Sequence, residues 1–107
     1  MRESDLYLED IRIASEKIKK YVSGITFENF SSDDKTWDSV LHNLMVIGEA
    51  ANKIPDDFRA LYPNVEWHAI IGMRNIIVHG YFTVSADIIW KTVQKDIPEL
   101  MAALGVK

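Results

Sequence analysis

The sequence predicts an all-α fold, an antiparallel up-and-down four-helix bundle with one short extra helix. Three observations carry this. Apolar residues recur at steps of three and four along most of the 107 residues, the period of amphipathic helices. The breaks between these runs are short, which favours antiparallel neighbours. No stretch holds the two-residue alternation of a strand, and Tyr81-Phe82-Thr83-Val84 is too short to build a sheet.

The first helix is marked by Tyr7, Ile11, Ala14, Ile18, Tyr21 and Ile25, and ends near Gly24. The second runs through Trp37, Leu41, Leu44, Gly48, Ala51 and Ile54. Ser31 or Ser32 caps it, and Asp33 and Asp34 supply a negative first turn. Val40, Met45, Val46 and Ile47 widen its apolar face, as expected of a central helix or of a two-fold dimer interface. Pro55 to Leu61 reads as a short helical turn closed by Tyr62-Pro63-Asn64. Trp67, Ile70, Ile71, Arg74 and Val78 mark the third main helix. The fourth runs from about Ser85 to Leu104, and Pro98 must kink or restart it, because proline lacks an amide donor and clashes one turn back.

Composition narrows the function. The length suits one domain over residues 1–107. Cys is absent, which excludes disulfides and thiolate metal sites and suits a reducing, cytoplasmic setting. The start Met1-Arg2-Glu3-Ser4-Asp5 lacks the pattern of a signal peptide, and no apolar run is long enough to span a membrane. Four Met, four Phe, four Tyr and three Trp are generous for one small core, so a partner is expected to cover some of that surface. The net charge of −4 argues against an extended basic track for nucleic acid. Its distribution is uneven. Residues 1–66 carry net −5, whereas residues 67–95 hold Arg74, Lys91 and Lys95 against Asp87 alone. A local cleft for a polyanion remains open.

That positive segment holds Arg74-Asn75-Ile76-Ile77-Val78-His79-Gly80-Tyr81. Asn75 and His79, four apart, share a helix face, so the amide can orient the imidazole. Arg74 and His79 lie about 140° apart around an ideal helix. They cannot share one face of one helix, so a groove between two copies of the chain accommodates them more naturally. Gly80 suggests a left-handed cap, with His79 at the last helical position, where carbonyl ends favour a cation. Imidazole serves as both general base and general acid near neutral pH. Guanidinium is a fork-shaped partner for phosphate oxygens. The pair fits RNA transesterification: imidazole takes the 2′-hydroxyl proton, and guanidinium stabilises the charged transition state. His42, His68 and the scattered carboxylates lack metal-ligand spacing, so neither a metal nor a cofactor is expected.

Plainer roles are open to each residue. Arg74 can pair with Glu49 or Asp87, His79 can cap a helix end, and Asn75 can satisfy a backbone group. Tyr81 can pack back on the last turn against Ile76. Glu49 has Lys53 one turn on as a solvated partner, and His42 and His68 suit the surface. Their joint occurrence in the one positive segment favours the chemical reading.

The string Arg-Asn-x-x-x-His-x-Tyr resembles the motif of the HEPN superfamily, in particular its HepT-like branch. The likeness extends to Leu6-Tyr7-Leu8-Glu9-Asp10-Ile11, to Ile47-Gly48-Glu49-Ala50-Ala51 with Ile54-Pro55, and to Ile70-Ile71-Gly72-Met73-Arg74-Asn75. The resemblance implies the toxin of a type II-like toxin–antitoxin module, a homodimer with motif helices facing across a cleft. It implies metal-independent endoribonuclease activity, with Arg74 and His79 as the catalytic pair. It implies that a minimal nucleotidyltransferase (MNT-type) antitoxin neutralises the protein by attaching AMP to Tyr81. Glu49 is a candidate cleft residue. The alternative is a non-catalytic HEPN-like module that binds a nucleotide or a nucleotidyltransferase partner through the same cleft.

Overall fold

The computed structural model describes residues 3–105 and is all-α. The reading of the Met1-Arg2 start lies in part outside those residues. Helix α1 spans Glu3–Val22; of its expected stripe Ile11, Ala14 and Ile18 are almost fully enclosed and Tyr7 is half-buried, whereas Tyr21 is exposed and Ile25 lies beyond the helix. Each fully buried Ile contributes roughly 1.5–3 kcal/mol. The chain leaves α1 at Gly24, whose φ of 74° is left-handed backbone that glycine adopts without steric cost.

Helix α2, Phe27–Ser32, was not expected. Six residues are too few to show periodicity, but the Thr26 side chain accepts from Asn29 N at 3.1 Å and starts the turn. Its Phe30 is fully buried, with ring centroids 5.4 Å from Trp37 and 5.1 Å from Trp90. Because α2 consumes Ser31 and Ser32, the cap of the next helix is Asp33 instead. Asp33 accepts from Lys35 N at 3.1 Å and from Thr36 Oγ1 at 2.8 Å. These donors hold its carboxyl below the usual carboxylate range, the Thr36 hydroxyl contributing most.

Helix α3, Asp34–Lys53, packs against both α1 and α5, which makes it the central helix. Val40, Leu41, Leu44 and Ile47 are buried, and Met45 and Val46 are half-buried. Lys53 lies over the Tyr7 ring at 5.8 Å, so the end of α3 meets the start of α1. The two helices are therefore antiparallel. The short helix α4, Asp56–Arg59, follows Pro55, and Arg59 Nη2 donates to the Ala51 carbonyl at 2.9 Å. The same carbonyl also accepts from Ile54 N at 3.2 Å, so Arg59 is its second donor at the end of α3.

Helix α5 spans Trp67–Gly80 and is anchored by Trp67, whose indole donates to the Tyr62 carbonyl at 3.3 Å. Arg74, midway along α5, touches Gly48 late in α3, and Tyr81, just beyond α5, reaches Asp38 near the start of α3. These two helices are also antiparallel. The fourth long element is α6 (Ala86–Lys91), a π-helical turn (Thr92–Asp96) and α7 (Ile97–Ala103). Pro98 acts as expected: it sits in the first turn of α7, and the widened π turn absorbs its missing donor. The bundle thus carries two short extra helices, α2 and α4, where one was expected. No helix among the described residues is long and apolar enough to cross a membrane.

Candidate active site at the α3–α5 seam

Arg74 leaves α5 on the side that faces α3, and Gly48 lets the helices approach there. A Cβ on Gly48 would fall 2.1 Å from Arg74 Cβ and 3.3 Å from the Ile70 carbonyl. The arginine stem lies across bare α3 backbone and the guanidinium emerges at the edge of the seam. Its Nη2 pairs with Glu49 Oε1, and its Nη1 donates to Asn75 Oδ1 at 2.9 Å. The buried Nε has no protein partner. Two of five N–H donors are thus engaged, and further Nη donors remain for an anion.

Of the two carboxylates open to Arg74, the structure selects Glu49; Asp87 is exposed elsewhere on α6. Lys53, one turn from Glu49, turns to Tyr7 instead. Asn75 engages the guanidinium rather than the imidazole. His79 is exposed on the outer surface of α5, with no hydrogen bond among the described residues. The structure therefore joins Arg74, Glu49 and Asn75 and leaves His79 apart, facing away from α3. His42 and His68 are exposed. No group of three or more His, Asp or Glu among the described residues could hold a metal ion.

The end of α5 differs from expectation. Gly80 is the last residue of the helix and not a left-handed cap, since positive φ among the described glycines is confined to Gly24 and Gly105. Tyr81 continues in helical geometry, and the Gly80 carbonyl accepts from Thr83 N at 2.9 Å and from Thr83 Oγ1 at 3.2 Å. Ile76, the residue expected to receive Tyr81, is 52% exposed, and Tyr81 packs against the core instead. Helical backbone at Tyr81 carries the ring onward to α3, where its hydroxyl donates to Asp38 Oδ1 at 2.5 Å. The Asp38 carboxylate, with lesser help from burial, pushes the phenol up to about 12, so Tyr81 stays protonated at neutral pH. Asp38 was not singled out in the sequence. It lies 43 residues from Tyr81, and no local pattern links them.

The outer face of α5 around His79 leaves several apolar side chains exposed. Ile76 is 52%, Val78 45% and Phe82 97% exposed. Asn75 and His79, also exposed, lie between Ile76 and Val78 around the helix, so the face mixes apolar and polar side chains.

Comparison with known proteins places the chain in a family. The model of a family described as “Ribonuclease HepT-like” matches residues 11–105. “Probable ribonuclease HepT” of Thermococcus cleftensis is 45% identical over 94 residues, which cover 88% of this chain and 86% of that protein. A “Putative RNase” of Caldanaerobacter subterraneus subsp. tengcongensis is 42% identical over 94 residues, 88% of this chain and 84% of the relative. No solved structure matches. A helical bundle that carries the Arg-Asn-x-x-x-His-x-Tyr string at the end of α5, matched over nearly its whole length, belongs to the ribonuclease HepT-like family.

Proposed function

We propose that this chain is a metal-independent endoribonuclease, acting in the cytoplasm as a homodimer whose α5 helices face one another. The observation that carries the reading is the division of the motif between two surfaces. Arg74 is fixed at the α3–α5 seam, while His79 stands on the exposed outer face of the same helix. A two-fold pairing of that face covers Ile76, Val78 and Phe82. It also brings His79 of one copy toward Arg74 of the other, so each site is built from both. The guanidinium holds the scissile phosphate and stabilises its developing charge. The imidazole takes the 2′-hydroxyl proton and returns one to the leaving 5′-oxygen. Glu49 and Asn75 hold the guanidinium in place. Cleavage of RNA in EDTA by the purified protein tests the reading.

The same interface gives a second expected result. Ile76→Asp or Phe82→Asp should halve the mass in sedimentation equilibrium and remove RNA cleavage. The melting temperature of the monomer should hardly move, because both side chains are exposed in the single chain. A dimer that persists in both variants would exclude the α5 face.

The family relationship further supports a toxin role, with a nucleotidyltransferase antitoxin that attaches AMP to Tyr81. An AMP group there adds negative charge beside the cleft and competes with RNA for Arg74. Intact mass after co-expression with such a transferase tests this; an unchanged mass would exclude it. The non-catalytic binding module draws support from the Arg74–Glu49 pair, which leaves the cation already neutralised. A properly dimeric wild type that leaves RNA intact in EDTA, with Tyr81 unmodified, would favour that module.

A further inference from the structure

We infer that Asp38 is a positioning residue for the imidazole of the site: through Tyr81 it latches the last turn of α5, and with it His79, to the start of α3. The inference rests on the ribonuclease reading for its catalytic consequence, but the latch itself can be tested without RNA. The last turn of α5 has little to hold it. Asn75, Ile76, Val78 and His79 are exposed, and only Ile77 is fully buried. Helix ends fray where backbone groups lose their partners. Beyond His79, the next side chain that turns back to the bundle is Tyr81, half-buried, with its hydroxyl on Asp38 Oδ1 at 2.5 Å. His79 is therefore bracketed by one apolar anchor, Ile77, and one polar anchor, the Tyr81–Asp38 bond.

The far side of the latch is also fixed. Asp38 stands in the second turn of α3, a helix capped by Asp33, and its neighbour Trp37 packs at a tilt against the buried Phe30 ring. A hydrogen bond to a charged acceptor is stronger than a neutral one. The bond makes no contact with His79, so its loss should alter how the imidazole is presented and not how RNA is gripped. The same bond is lost whenever the Tyr81 oxygen carries a substituent in place of its proton.

The test uses wild type, Asp38→Ala, Asp38→Asn, Tyr81→Phe and the double variant Asp38→Ala/Tyr81→Phe. Hydrogen exchange on the free protein reads the latch. Amides of Val78, His79 and Gly80 should exchange about tenfold faster in Asp38→Ala and in Tyr81→Phe, with the melting temperature little changed. Cleavage of one RNA oligonucleotide reads the consequence: kcat falls about tenfold in either single variant while KM stays constant. The double variant is no slower than either single one, because both break the same bond. Asp38→Asn, whose amide oxygen still accepts the hydroxyl, recovers most of the loss. Wild-type exchange in Asp38→Ala, or multiplying losses in the double variant, would overturn the inference. Absence of cleavage by wild type would instead overturn the ribonuclease reading, and the exchange data would still decide the latch.

Discussion

Alanine at Arg74 or at His79 is expected to lower RNA cleavage about 10²–10³-fold, measured in EDTA on a single oligonucleotide. The two losses have different origins. Arg74→Ala removes the fixed cation that meets the phosphate in its transition state. His79→Ala removes the group that moves the protons. Neither variant should lose its fold. His79 is exposed and makes no hydrogen bond among the described residues. Arg74→Ala keeps the Cβ that rests against Gly48, and it frees a Glu49 carboxylate that is 45% exposed. The pair is partly exposed, with Arg74 at 28%, so its loss costs on the order of 1 kcal/mol, the upper end for surface pairs. Matched circular dichroism with lost cleavage is therefore the expected pattern. Wild-type cleavage in either variant would remove that residue from the chemistry.

The second large effect is expected at Gly48. Propensity alone says that Gly48→Ala should stabilise α3 by about 1 kcal/mol, because alanine is the better helix former. Packing says the opposite. The new Cβ would lie 2.1 Å from Arg74 Cβ and 2.8 Å from Arg74 Cγ, far inside the roughly 3.5–4 Å contact of two carbons. A Cβ is fixed by the backbone, so no rotamer change relieves the overlap at that atom and the helices must part. Overpacking of this kind costs about 1–3 kcal/mol, which exceeds the propensity gain. Gly48→Ala should lower the unfolding midpoint and also displace Arg74 from the cleft. Gly72→Ala is the matching control, since a Cβ there meets nothing within 4 Å. It should hold or raise the midpoint. Equal shifts in the two variants, read by denaturant unfolding, would show that Gly48 is not a packing requirement.

Much of the bundle was legible because helical periodicity is a local signal. The stripes through Ile11 and Ile18, Leu41 and Leu44, and Ile89 and Val93 are the ones the structure buries. Pro98 was legible for the same reason, since its chemistry acts within one turn. Of the two short helices, α4 was legible after Pro55 and α2 was not. α2 is too brief for a repeat, and its existence moves the cap from Ser31 or Ser32 to Asp33. Gly80 misled because glycine is common as a left-handed cap, yet here the chain needs helical geometry to bring Tyr81 to α3.

In the candidate site, residues within one helix could be read and their partners across helices could not. Spacing placed Arg74 and His79 on different faces of α5, as observed. It left Glu49 and Asp87 as equal candidates for Arg74, and only the α3–α5 packing separates them. The same packing gives Asn75 to the guanidinium and brings Asp38 to Tyr81. Gly48 could be seen in its string but not understood, because its reason is the side chain it faces on another helix.

The central claim is a site assembled from two copies, Arg74 from one and His79 from the other. It is tested by mixing Arg74→Ala protein with His79→Ala protein, allowing subunits to exchange, and measuring RNA cleavage. Each protein alone is inactive. A mixed dimer carries one site with both native residues, so exchange should restore about a quarter of wild-type activity at equal amounts. A mixture that stays inactive, although native mass spectrometry shows mixed dimers, would contradict the shared site.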